Sequence, residues 1–155
     1  MNWLLPAITL ASLFTSALHS FVDWINLGHS RSAPIPPSFL DKVSPDKYQE
    51  ALRYLEAQTK FGIFQRSFWT VTGLAFLWGG GFVALDLFVS LASESAVLRG
   101  LLYFAALGVL SSVASLPFSW YSTFRLEEAF GFNRSTAKTF WLDHLKGYAL
   151  TVVIG

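Results

Sequence analysis

Polar and apolar residues fall in blocks along this chain. Trp3 to Val22 contains no acid or base, and Gly100 to Ser119 likewise carries no charge. Ser67 to Leu91 carries one, Asp86. Crossing a bilayer as a helix takes about 20 mainly apolar residues. The pattern therefore predicts an all-α, multi-pass transmembrane protein, with spans over about 3–24, 67–91 and 100–119. A fourth apolar run, 147–155, has less than a span's length and no helix-stop signal. It predicts that the chain is the N-terminal part of a longer protein. The first run holds Thr9, Ser12, Thr15, Ser16 and His19, and no basic residue precedes it. It reads as a retained span, not a cleaved leader. Asp23 and Trp24 mark its interface.

The breaks carry their own signals. Gly28 to Val43 reads as a linker, because Pro34, Pro36 and Pro37 disfavour helix. Ser44-Pro45-Asp46 opens a helix: a capping hydroxyl, a proline suited to the first turn and an acid at the positive dipole end. Tyr48, Ala51, Leu52 and Leu55 form its apolar stripe, and Glu56 and Lys60 stand four apart in the favourable order. Gly79-Gly80-Gly81 interrupts the second span and permits either close helix approach or a kink. Asp86, near that span's far end, reads as an interfacial carboxylate. Pro117 kinks or ends the third span.

Composition agrees with a membrane setting. Of 155 residues, 53% are hydrophobic and only 14% charged, against about 25% charged in ordinary soluble domains. Fifteen Phe and six Trp suit lipid contact and interfacial anchoring. A net charge of +1 offers no nucleic-acid footprint. There is no cysteine, which removes disulfides and thiolate metal sites. Among the eleven basic residues, Arg99 alone falls between spans two and three. The rest fall in the connections 28–66 and 120–146, which the positive-inside rule places in the cytoplasm. The sequon Asn133-Arg134-Ser135 then lies where glycosylation does not occur.

The connection 120–146 mixes chemistry most densely. Arg125-Leu126-Glu127-Glu128-Ala129-Phe130-Gly131-Phe132-Asn133 sets a charged pair beside an aromatic, glycine-hinged turn. Adjacent helical residues point about 100° apart, so Glu127 and Glu128 cannot face one point. One can face a cavity and the other Arg125 or Arg134. The structural alternative is a cap, in which Gly131 ends one helix left-handed and Asn133, with Thr136 nearby, starts the next. No HExxH, nucleophile elbow or phosphate loop occurs. His19, His29 and His144 are never four apart, so no catalytic or metal-ligating set is expected within this chain. A lone His144 reads as a hydrogen-bonding or interfacial group.

Leu116-Pro117-Phe118-Ser119, Tyr121, Thr123-Phe124, Glu127-Glu128, Gly131-Phe132-Asn133 and Thr136 closely resemble the N-terminal membrane region of the CAAX prenyl protease family. Pro36-Pro37, the Tyr48–Tyr54 helix and Phe61 resemble its first cytoplasmic connection. The resemblance implies a helical barrel around a chamber and a zinc metalloendopeptidase whose HExxH and third ligand lie beyond residue 155. The fragment alone would be inactive. It implies membrane lipid and a peptide or protein substrate, prenylated at a CAAX end, as partners. Glu127, Glu128, Gly131, Phe132, Asn133 and Thr136 are motif residues to which it assigns no role. The compact loops look more like a bacterial homologue, with unmodified membrane segments as substrate. The location would be a bacterial inner membrane, or the endoplasmic reticulum in a eukaryote. The competing class is a non-enzymatic transporter subunit or assembly factor, with Asp86, the glycines and the glutamate pair lining a path.

Overall fold

A computed structural model describes residues 3–34 and 44–154, with side chains through Thr151. The described residues form five α-helices: α1 (Leu4–Ser32), α2 (Pro45–Trp78), α3 (Gly81–Ser90), α4 (Ala96–Tyr121) and α5 (Ala137–Ile154). A π-helical turn, Ser122–Glu127, continues α4. By length and composition, Leu4–Ser32 and the continuous Ala96–Glu127 can each cross a membrane, and α2 with α3 can do so as one bent pair. The chain divides into two compact units, 1–116 and 117–155.

In the first unit α1 and α2 run antiparallel. Trp78 Nε1 donates to Thr9 Oγ1 at 2.9 Å. Arg66 donates to Ser20 Oγ at 3.3 Å and pairs with Asp23 at 2.9 Å. Arg31 pairs with Glu56, which also holds Lys60 at 2.6 Å. These rungs rise along one helix as they fall along the other. Away from these rungs α1 exposes Leu10, Phe14, Phe21 and Trp24, as a lipid-facing surface should.

Helices extend further than the apolar runs. Residues 28–32, expected in the linker, are the last turns of α1. The Ser30 and Ser32 hydroxyls bond back to Asn26 and Gly28 carbonyls. The helix stops where Pro34 forces Ala33 into extended backbone, ψ 133°. The rest of that linker, with Pro36 and Pro37, lies outside the described residues. Ser44 caps α2 as expected, accepting from the Lys47 N–H at 3.4 Å. The amphipathic segment and the second span then form one unbroken helix through Trp78. Lys60 and then Arg31 hold the Glu56 carboxyl below its ordinary range. Their contribution is therefore intact above that range and lost as acid protonates Glu56.

The triple glycine is a bend of 63° between α2 and α3. Gly80 takes φ +72°, and a Cβ on Gly81 would strike the Phe76 ring. Phe76 also packs edge-to-face on Phe82 across the bend, centroids 4.8 Å apart. Asp86 faces Arg99 of α4 at 4.0 Å, both largely exposed, so it is a loosely paired carboxylate. Tyr103 Oη, donating to the Phe82 carbonyl at 3.5 Å, gives α4 a second tie to α3.

Three glycine substitutions separate the causes of the bend. Gly80→Ala must strain a left-handed residue and should cost about 1–2 kcal/mol. Gly81→Ala should also destabilise, by displacing Phe76. Gly73→Ala, with nothing near the new methyl, should stabilise by up to about 1 kcal/mol through helix propensity. Thermal unfolding in detergent should rank Gly73→Ala above wild type and both bend variants below it.

Candidate functional site at the acidic elbow

The second unit is built around the break between α4 and α5. Pro117 sits inside α4, where it cannot donate to the Val113 carbonyl, yet the helix continues to Tyr121. It neither ends the helix nor stands alone as an irregularity, because the π-helical turn follows within one further turn. An i→i+5 turn takes in an extra residue and so re-aims everything after it. Here Leu126 is buried, Glu127 is half-buried and Glu128 is exposed.

The helix then closes in a Schellman arrangement. The Phe132 N–H donates to the Glu127 carbonyl at 2.9 Å, and the Gly131 N–H to the Glu128 carbonyl at 3.1 Å. Gly131 takes φ +70°, as its place one residue past the cap requires. The Asn133 N–H also reaches the Glu127 carbonyl, at 3.3 Å.

The side chains add a latch. Asn133 Nδ2 donates to Glu128 Oε2 at 2.6 Å, while its Oδ1 accepts from the Ser135 N–H at 2.7 Å. Both bonds need the amide in this one orientation. Thr136 Oγ1 accepts from the Thr139 N–H at 3.2 Å and so caps α5. Asn133, expected as that cap, instead ties the loop back to the end of the incoming helix at Glu128. Neither glutamate forms an ion pair with Arg125 or Arg134 among the described residues. Within the described part of 120–146, only 130–136 leaves the helical path.

An aromatic cluster holds the two helices of this unit together. Trp120 packs on Phe124 (4.3 Å), Phe140 (5.3 Å) and Trp141 (6.1 Å). Phe140 is buried and stacks on His144 at 4.2 Å. The carbonyl of Phe140 accepts from His144 Nδ1 at 2.9 Å, so this imidazole is fixed to its own helix.

Of the sequence-predicted residues, the elbow gathers Glu128, Gly131, Asn133 and Thr136 into one hydrogen-bonded turn. Glu127 takes part through its carbonyl. Phe132 contributes its N–H and leaves its ring 52% exposed. The arrangement holds geometry; it presents no nucleophile beside a base. Among the described residues no three of His, Cys, Asp and Glu gather as a metal site. The described residues therefore do not fit a zinc ion, and no chemical step is routed through one here. Sequence reasoning missed the π-helical turn and a polar cleft between α1 and α2. The cleft's signal was present: Thr9, Ser12, Ser16, His19 and Asp23 recur at alternating spacings of three and four.

A family profile described as CAAX prenyl protease N-terminal, five membrane helices, matches residues 25–155. A probable CAAX prenyl protease 1 of Schizosaccharomyces pombe is 31% identical over 139 residues, covering 77% of this chain and 29% of the relative. CAAX prenyl protease 1 of Saccharomyces cerevisiae is 28% identical, covering 97% of this chain and 36% of the relative. The crystal structure of S. mikatae Ste24p superposes with a TM-score of 0.89 at 27% identity, covering this whole chain and 37% of that one. The chain thus spans about a third of the length of the proteins it matches.

The latch makes a reciprocal prediction. Asn133→Asp places a carboxylate against Glu128 and should speed amide hydrogen exchange across 129–136. Glu128→Gln with Asn133→Asp restores donor and acceptor in exchanged positions and should recover at least half of the lost protection. Gly131→Ala should cost about 1–2 kcal/mol, which neither partner change relieves.

Proposed function

This chain belongs to the CAAX prenyl protease N-terminal family, and from that premise we propose that it is the N-terminal membrane domain of a zinc-dependent integral-membrane endopeptidase. The observation that carries the proposal is the family match over 25–155, together with the fold shared with Ste24p over the whole chain. In this reading the helices wall a chamber, and the elbow fixes how α5 leaves α4. The topology that fits has 28–66 and 120–146 on the cytoplasmic side. Zinc, held by residues beyond this chain, would supply an activated water and a polarised carbonyl. The names of the relatives support a prenylated CAAX peptide as substrate. Their eukaryotic sources support the endoplasmic reticulum membrane over a bacterial inner membrane. The transporter or assembly-factor alternative is not favoured by the family match, and Asp86 has Arg99 beside it instead of an open path.

Metal and cleavage test this together. The full-length protein in detergent should carry about one zinc per chain. It should cleave a farnesylated CAAX peptide in preference to its unprenylated counterpart. Chelation should abolish cleavage and zinc should restore it. Metal-free protein that moves a solute across vesicles without cleaving peptide would contradict the proposal.

A further inference from the structure

One polar row in the second unit is used by neither the latch nor the aromatic cluster. Ser119, Thr123 and Glu127 stand four apart along the end of α4 and the π-helical turn, and all are half-buried. In an α-helix, residues four apart drift around the axis by about 40° at each step. A π-helical turn takes more residues to close, so each one turns the chain less and the drift shrinks. The turn over Ser122–Glu127 thus keeps Glu127 on the face of Ser119 and Thr123. Elsewhere Thr9, Ser67, Thr70 and Thr151 return their hydroxyls to the carbonyl four residues back. Those of Ser119 and Thr123 make no hydrogen bond among the described residues. The Glu127 carboxylate makes neither a hydrogen bond nor an ion pair there.

Nothing described beside Glu127 balances its charge. Arg125 stands two residues away, where helical side chains do not face each other. Arg134 and Lys138 lie past the Gly131 turn, both exposed and neither ion-paired among the described residues. Glu127 also ends the helix, at the negative pole of its dipole, where an acid is unfavourable and a cation favourable. Its backbone is fixed, because its carbonyl accepts from the Phe130, Phe132 and Asn133 N–H groups. Hydroxyls accept as readily as they donate, so charge alone selects the partner, and it selects a cation. We infer that Glu127 is the docking point for a lysine or arginine of the protein's continuation beyond residue 155, with Ser119 and Thr123 accepting its other N–H groups. This rests on one part of the proposed function, that the chain is the N-terminal domain of a longer protein. The chain spans about a third of the length of the proteins it matches, so a larger remainder has to find its register against these helices. A lipid amine fits less well, because its phosphate would meet Glu127 and Glu128 together.

Amide hydrogen exchange on the full-length protein in detergent tests the contact. Glu127→Gln keeps the side chain's size and removes its charge. It should speed exchange at least about tenfold in a segment beyond residue 155 that contains Lys or Arg. Exchange across 129–136 should not change, because the Glu128–Asn133 latch is intact, and unchanged exchange across α1 and α2 shows that the variant folds. Charge exchange then identifies the partner. Glu127→Lys, combined with Glu in place of the Lys or Arg of that segment, should recover at least about half of the lost protection, which neither single change should do. Unchanged exchange everywhere beyond residue 155, a responding segment without Lys or Arg, or charges whose exchange rescues nothing would each overturn the inference. So would a response seen only with a peptide substrate bound, which would give the cation to the substrate. A full-length protein without zinc in which Glu127→Gln still loosens that segment would sink the protease reading and leave this contact standing.

Discussion

The ion pair between Arg66 and Asp23 is the interaction on which the first unit depends. A charge at the edge of a span is costly unless it is paired or faces water. Arg66 and Asp23 meet at 2.9 Å, each about a third exposed, and Ser20 accepts a further bond. The pair fixes α1 against α2 in one antiparallel register. Because this pair pins the two helices to one register at the span edge, the Trp78–Thr9 contact and the exposed Arg31–Glu56–Lys60 cluster can form at set heights. The same register holds the cleft open.

The two interruptions of the helical path are solved by local chemistry. At Gly79–Gly81 the chain turns because Gly80 can go left-handed and Gly81 leaves room for the Phe76 ring. At the elbow, Gly131 again supplies the left-handed residue, but side chains complete the turn: Glu128 accepts from Asn133, and Thr136 begins α5. A helix end leaves backbone groups without intrahelical partners, and local groups replace them. At the elbow Asn133 takes the Ser135 N–H and Thr136 the Thr139 N–H, while Glu128 holds the Asn133 amide in place.

Much of this was legible in the sequence. Three of the apolar blocks fall on Leu4–Ser32, the bent pair α2–α3 and Ala96–Glu127, the helices long and apolar enough to cross a membrane among the described residues; Ser44-Pro45-Asp46 marked the start of α2, and Gly131 the left-handed helix end. Helix ends were less legible, because a helix runs on through polar residues when they bond back to it, as Ser30 and Ser32 do. The exchange of roles between Asn133 and Thr136 was hidden for a similar reason: either residue type can cap, and only the position of Glu128 decides which one does. The Arg66–Asp23 contact joins residues far apart in sequence, and neither flanking pattern announces its partner. The polar stripe of α1 was visible residue by residue, but its meaning depended on which helix faced it.

Charge exchange across the seam tests the central claim most directly. Asp23→Arg or Arg66→Asp alone sets like charges together and should lower stability in detergent. The cost should be about 1–3 kcal/mol, below the roughly 3–5 kcal/mol of a fully buried pair because each side chain keeps some access to solvent. The double exchange restores opposite charges in the same register and should recover at least half of that loss. Single variants as stable as wild type, or a double variant that loses the sum of the two single losses, would contradict the view that this pair sets the frame.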